Sequence, residues 1–413
     1  MFQLTETQKM VQDVLRQYVT GTIQPKVQDM EDGVVSCNDL ARDMFRALRV
    51  ADMIRPSLEK LARKREENSD EKVDITGLVS PEGGGMEGGD PMLMMIFLKE
   101  ISRVSPGMAM SLGVTAGLAG GAIVSRGTAA QVREYGIPLM TLEKTGSWCL
   151  TEPGAGSDAF GGMQTRAKPD GRGGYVLNGS KTFITNAPVA DILVVYAKLD
   201  TGQPPRDRPV LSFILERGMK GLSTGAPFHK LGMRDSPTSE VFMEDVRLEK
   251  RHLIGETETR GGGRTATKDS LGTERSGVSA ICLGIIERCY EECLRYAKER
   301  VQFGKPIGDF QAVQLRLARM YINYKNVENI VYRTVWMQKN GVRDASFINA
   351  SKAYTSTAAV EAVNDAVNIF GGYGYMREYP VEKLYRDAKL LELGAGTTDI
   401  NMMTCARCEL ELI

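Results

Sequence analysis

The feature that most constrains this chain is a change of hydrophobic period near Trp148 that reverses near residue 250. Before it, Met10, Val11, Val14, Leu15 and Val19 recur at helical spacing, and residues 1 to about 56 read as helical. A second helical region, rich in Met, Ala and Gly, runs over about 91–140. From Trp148 the pattern breaks into short β-type runs, among them Gly174-Tyr175-Val176-Leu177-Asn178 and Asp191-Ile192-Leu193-Val194-Val195-Tyr196-Ala197, parted by Gly, Pro, Asp and Asn. Long helical patterns return through 271–340 and 344–370 and resume at 381–393. A chain of 413 residues has the length for two or three domains, and this order predicts an α+β multidomain protein. The expected domains are 1–145 (α-helical), 146–252 (β) and 253–413 (α-helical). Glycine-rich stretches at Gly83–Gly89 and Gly261–Gly263 act as breaks, and the charge-crowded residues 59–74 read as a solvated helix end or loop.

Composition removes several classes of function. Lys+Arg and Asp+Glu both total 52, so no global field attracts a polyanion and nucleic acid is not an expected partner. No run of about 18 consecutive apolar residues is present, which argues against a membrane span. The start, Met1-Phe2-Gln3-Leu4-Thr5-Glu6-Thr7, lacks a basic region followed by an apolar one, so a cytoplasmic protein is the simplest expectation. Seven cysteines without a repeating framework fit reduced thiols. Cys405-Ala406-Arg407-Cys408 is a lone CxxC, and with only His229 and His252 in the chain no metal site is expected.

Five segments carry the chemistry. Cys149-Leu150-Thr151-Glu152-Pro153-Gly154-Ala155-Gly156-Ser157-Asp158-Ala159-Phe160-Gly161 is a glycine-rich turn, where the backbone can approach a ligand and Thr151 and Ser157 add hydroxyl donors. Lys181-Thr182-Phe183-Ile184-Thr185-Asn186 offers an aromatic face and a hydroxyl. Glu299-Arg300-Val301-Gln302-Phe303-Gly304, followed by Gln311, supplies a guanidinium that matches phosphate oxygens bidentately. The remaining two are Phe370-Gly371-Gly372-Tyr373-Gly374-Tyr375 with Glu378, Lys383 and Asp387, and Arg386 through Thr397 ending in Gly394-Ala395-Gly396-Thr397. Together these resemble the acyl-CoA dehydrogenase family over nearly the whole chain.

That resemblance implies an N-terminal helical domain, a middle β-barrel or sandwich domain and a C-terminal four-helix bundle, with FAD as cofactor. No G-x-G-x-x-G follows a strand in a βαβ unit, so the flavin is not expected to bind in Rossmann fashion. By resemblance Trp148, Leu150 and Thr151 contact the flavin, Phe183 covers its ring, and Thr185 reaches its reactive nitrogen. Gly156 and Ser157 lie near bound CoA. Arg300, with Phe303 and Gln311 of the same segment, meets the FAD pyrophosphate, as does Thr397, while Asp399 is a polar FAD contact. Asn368 stands where the family usually has Gln, Asp or Glu. In relatives Gly371 and Gly372 reach FAD held by a neighbouring subunit, which implies an oligomer, usually a homotetramer. Electron-transfer flavoprotein is the implied electron acceptor.

The catalytic base is displaced from its commoner place. Removing an α-proton from a thioester while hydride leaves the β-carbon needs a carboxylate, and a water-poor pocket strengthens that base. Where the commoner family pattern reads Tyr-Glu-Gly-Thr, this chain has Gly394-Ala395-Gly396-Thr397, and Ala395 cannot accept a proton. Leu271-Gly272-Thr273-Glu274-Arg275 resembles the alternative base segment of isovaleryl- and long-chain-type enzymes. Glu274 is then the base, Leu271, Arg275 and Gly394 contact CoA or substrate, and Ala395 serves through its backbone N–H, which bonds the thioester oxygen. By position alone, Glu274 also reads as a first-turn acid favoured by the helix dipole. Asp90 reads as the N-cap of the helix beginning at Pro91, with a second base near the acyl end as the other reading.

Substrate signals point to a short branched or alicyclic acyl-CoA. Gly394-Ala395 leaves volume that Tyr-Glu would fill. Ala109 stands where glutaryl-type relatives carry an arginine, which disfavours a dicarboxylic acyl group. Met92, Met94, Met95, Met108 and Met110 suggest an adaptable apolar pocket. The alternatives are a cyclohexene-carboxyl-type thioester with Asp90 as base, an oxygen-using oxidase or monooxygenase, and a CoA-binding homologue without activity.

Overall fold

The computed structural model describes residues 3–67, 90–258 and 264–412, and the side chains of the last segment from residue 272 onward. Both glycine-rich breaks, the later part of the charge-crowded run and the Leu271 side chain lie outside the described residues.

The N-terminal helices follow from local signals. Thr5 and Gln8 form a capping box at the start of the Glu6–Tyr18 helix, and the Val50–Glu67 helix extends into the charged run. Asp90 caps the Pro91–Ser102 helix by accepting from Met92 N at 3.1 Å, with proline at the first helical position. Pro106–Arg126 is continuous helix whose centre, Gly113–Gly120, widens into a π-helix. By length and apolarity this stretch could cross a membrane, yet here most of it is buried in the protein core.

The middle of the chain forms a seven-stranded sheet. Its strands are β1 (Gly146–Cys149), β2 (Arg166–Pro169), β3 (Tyr175–Thr185), β4 (Ile192–Leu199), β5 (Val210–Glu216), β6 (Leu222–Thr224) and β7 (Thr238–Leu248). The order is β1-β4-β2-β3-β7-β6, with β5 antiparallel on β4 and β1 and β2 parallel to it. Every residue of β4 is buried, as the apolar run Ile192–Ala197 requires, and its one charged residue, Lys198, donates to Gly161 O at 2.9 Å. β3 pairs antiparallel with β7, and the register slips between Lys181 and Ile184. This bulge turns Phe183 to φ 57 and leaves its ring exposed.

The C-terminal part is a four-helix bundle of Arg264–Glu299, Gln311–Lys339, Ala345–Phe370 and Pro380–Leu393, with Thr398–Glu409 laid against the third helix. One hydrophobic core joins both helical parts, and Ser102 Oγ donates across it to Ile281 O at 3.1 Å. Lys383 and Asp387 are buried and bonded at 2.5 Å; Asp387 also accepts from Met233 N, and Lys383 lies 3.3 Å from Asp235. These two residues of the Phe370–Asp387 signature therefore fasten the loop before β7 to the bundle.

Candidate active site

A cavity of about 2790 Å³ opens between the sheet and the two helical parts. That volume is several times an ordinary small-ligand pocket and suits a dinucleotide together with a long thioester. Along one wall it is lined by Trp148, Leu150, Thr151, Gly156, Ser157, Phe183 and Thr185, and along another by Glu274, Arg275, Gly394, Ala395 and Thr397. Residues from three of the five sequence segments thus meet in one space, together with the Leu271–Arg275 segment.

The glycine-rich turn is braced from beneath. Lys181 is wholly buried and donates to Leu150 O at 3.0 Å and Glu152 Oε1 at 2.9 Å; Glu152 accepts in turn from Gln164 N at 2.6 Å and Thr165 N at 3.0 Å. With those groups satisfied, the turn presents Thr151 and Ser157 to the cavity. A side chain at Gly154 or Gly156 would meet nothing within 4 Å, so the space beside the turn is open. Trp148 Nε1 donates to Tyr196 Oη at 3.1 Å, which fixes the indole. Ser147 Oγ donates to Thr185 O at 2.9 Å. Asn186, buried at φ 66, donates to Ser111 O, Thr115 Oγ1 and Gly146 O at 3.0, 3.1 and 3.0 Å, so the end of β3 is tied to the π-helical stretch.

Four carboxylate residues line the cavity: Glu152, Asp158, Glu274 and Asp344. Glu152 is paired with Lys181, Asp158 accepts from Gly161 N at 3.0 Å, and Asp344 caps the Ala345–Phe370 helix through Phe347 N at 2.7 Å. Glu274 makes no hydrogen bond among the described residues. Its residue is half-buried because it faces the cavity, while the protein around its carboxyl is dense. Burial pushes its pKa up to about 7 against the opposing charges of Arg275 and Lys352.

The same wall carries a turn of unusual backbone. Ala395 has φ 56 and Gly396 φ 82, two left-handed residues in succession. Their carbonyls are held from three helices. Arg275 Nε donates to Ala395 O at 3.2 Å, Lys352 Nζ to Gly396 O at 2.6 Å, and Asn401 Nδ2 to Gly396 O at 2.8 Å and Thr397 O at 3.0 Å. The N–H of Ala395 has no partner among the described residues. Thr397 Oγ1 caps the next helix by accepting from Ile400 N at 3.2 Å.

Other sequence-stated residues stand apart from this cavity. Asp90 does not line it: its carboxylate takes Gln8 Nε2 at 2.5 Å and Lys339 Nζ at 2.8 Å besides capping its helix. Partial burial would raise the Asp90 pKa, but those bonds outweigh it and hold the pKa below the usual carboxylate range. Asp90 is thus an ion-paired helix cap, the first of the two readings its position allowed. Arg300, Phe303, Gln311, Asn368, Gly371, Gly372 and the exposed Asp399 also lie outside the lining. Phe303 is 93% exposed, Arg300 sits over the Tyr373 ring at 5.4 Å, and Asn368 Nδ2 is spent on Asn364 O at 2.8 Å.

Sequence reasoning missed Lys352 and Asn401, which hold the Ala395–Gly396 turn. One signal was present for Lys352: a lone cation among small residues, Ser351-Lys352-Ala353, on a helix otherwise poor in charge.

Comparison with known proteins agrees with this geometry. The chain matches the sequence models described as acyl-CoA dehydrogenase N-terminal domain over residues 5–143, middle domain over 147–246 and C-terminal domain over 261–410. It is 38% identical over 335 residues to the caffeyl-CoA reductase-Etf complex subunit CarC of Acetobacterium woodii, covering 80% of this chain and 86% of that protein. It is 36% identical over 336 residues to mitochondrial isovaleryl-CoA dehydrogenase of Arabidopsis thaliana, covering 81% and 80%. The solved structure of butyryl-CoA dehydrogenase from Megasphaera elsdenii superposes with a TM-score of 0.84 at 30% identity, covering 99% of each chain. The chain belongs to the acyl-CoA dehydrogenase family, flavoprotein oxidoreductases that use FAD.

Proposed function

We propose that this enzyme removes an α-proton from a short branched or alicyclic acyl-CoA with Glu274 as base, forming the enoyl-CoA. The observation that carries the reading is Glu274 itself: among the described residues it is the one cavity carboxylate left without a hydrogen bond, and its pKa near 7 suits a general base at neutral pH. The chain's fit to FAD rests on the open cradle beside Gly154 and Gly156, the exposed Phe183 ring, and Ser236 Oγ, a buried cavity-lining hydroxyl without a partner. Trp148, Leu150, Thr151, Phe183, Thr185 and Thr397 would hold the cofactor. When bound, FAD supplies the acceptor for the β-hydride.

The other residues orient and polarise. The Ala395 N–H receives the thioester oxygen as negative charge grows there, and Ser157, Arg275 and Gly394 bind the CoA end. Gly394 and Ala395 leave space beside the reacting carbons for a branch or ring. Arg300, Phe303, Gln311, Asn368, Gly371 and Gly372 lie away from this cavity, which fits contacts made across a subunit boundary in a homotetramer. Electron-transfer flavoprotein is the proposed acceptor of the electrons; the relative from Acetobacterium woodii is itself named as part of an Etf complex.

The test is anaerobic bleaching of the flavin by straight, branched, cyclic and dicarboxylic CoA thioesters. Branched or alicyclic thioesters should bleach fastest. Fastest bleaching by a dicarboxylic or long straight chain overturns the substrate assignment, and bleaching by Glu274→Gln at the wild-type rate overturns the base.

A further inference from the structure

Lys352 is fully buried and has no carboxylate within ion-pair distance among the described residues. Burial pulls its pKa down to about 8, against Cys282, Glu274 and Glu392 and with the help of Arg275. A buried ammonium is costly to keep, and a methionine would fill much the same space without that cost. What the ammonium does in the fold is donate to Gly396 O at 2.6 Å.

The turn it holds would not be the resting choice of this backbone. Ala395 at φ 56 is a left-handed residue with a Cβ, a conformation that costs about 1 kcal/mol and persists only where surroundings enforce it. Arg275, Lys352 and Asn401 draw the carbonyls of residues 395–397 toward the helices. The Ala395 N–H is left without a partner in a residue that lines the cavity.

We propose that Lys352 is a positioning residue for the enolising half of the reaction: by holding the Gly396 carbonyl it keeps Ala395 in the left-handed turn whose free N–H meets the thioester oxygen. The inference rests on the site assignment above. It also places a second cation beside Glu274, so Lys352 favours the anionic forms at both ends of the proton transfer.

Acetoacetyl-CoA bound to the FAD-loaded enzyme isolates this half. Its α-C–H bond breaks, the proton passes to Glu274 and on to solvent, the electron pair spreads onto the thioester oxygen, and no hydride moves. The enolate is read by its near-ultraviolet absorbance. Lys352→Met should bind the keto form of the probe with wild-type affinity yet show an enolate-to-keto ratio about tenfold lower, with the pH of half-enolisation about one unit higher. Thermal stability should stay level or rise. An unchanged ratio and pH midpoint overturn the proposal, because a merely structural lysine would move stability and not the ratio. If Lys352→Met does not fold, Lys352→Gln decides: its amide falls one bond short of Gly396, so the ratio should fall at least about threefold, and wild-type behaviour overturns the role. Absence of enolate in the wild-type enzyme instead overturns the site assignment, since every variant would then be equally silent.

Discussion

Arg275 Nε donates to the carbonyl of Ala395 at 3.2 Å, so the residue that follows the proposed base also grips the turn that shares its cavity wall. One helix segment therefore places the carboxylate and fixes its distance from the backbone donor. Replacing Arg275 with Met should lower kcat about tenfold, the value of one hydrogen bond from a charged donor. If Arg275 acts only on CoA, steady-state kinetics will show the loss in KM with kcat unchanged.

Glu274→Gln should lower turnover by at least about a thousandfold while acyl-CoA binding persists, since the amide keeps the volume and loses the proton acceptor. The kcat/KM profile of the wild type should fall on the acid side with a midpoint near the Glu274 pKa of about 7. A midpoint near 4.5 would mean that the carboxylate is not desolvated in the working enzyme.

The same raised pKa has a consequence for stability. The unfolded carboxyl ionises first as pH rises from 4.5, so the folded state loses stability up to about pH 7 and the loss is complete above it. Glu274→Gln removes this penalty. Its advantage in urea unfolding should be near zero at pH 4.5 and grow to roughly 2–3 kcal/mol by pH 8. A difference that stays flat across that range would contradict the buried setting of this group.

Asp90→Asn should leave turnover with saturated acyl-CoA substrates unchanged, because the side chain lies outside the cavity and still caps its helix. Asp90→Ala should cost about 1–2 kcal/mol in thermal or denaturant unfolding through loss of the cap and of the Lys339 pair.

Much of this site was legible because its pieces are local. The glycine-rich turn, the Lys181–Asn186 strand end and the Gly394–Thr397 turn are each contiguous, and a contiguous motif fixes its own backbone. Asp90 as a cap was equally readable from Asp-Pro before an apolar run. What the sequence hid are contacts between distant segments. Gln8 and Lys339 reach Asp90 from other helices, and Lys352 and Asn401 reach the Ala395–Gly396 turn from two more. Nothing in local spacing specifies those meetings, which arise only when the bundle closes. The left-handed turn at Ala395 was hidden for a related reason, as alanine gives no local cue for φ 56.

Pocket size gives the last prediction. Gly117, in the π-helical stretch, lines the cavity, and a Cβ there would meet nothing within 4 Å. Gly394, across the cavity, would bring its Cβ no nearer than 3.6 Å to Leu390 O. This room is what a branch or ring would occupy, and a straight chain has less use for it. Gly117→Leu adds four carbons to that wall and should stabilise the helix slightly, since leucine outranks glycine in helix propensity. Competition assays should show kcat/KM for alicyclic and branched thioesters falling about tenfold or more, with butyryl-CoA reduced less than threefold. Equal losses for both classes would place the acyl branch elsewhere in the cavity and return Gly117 to a packing role.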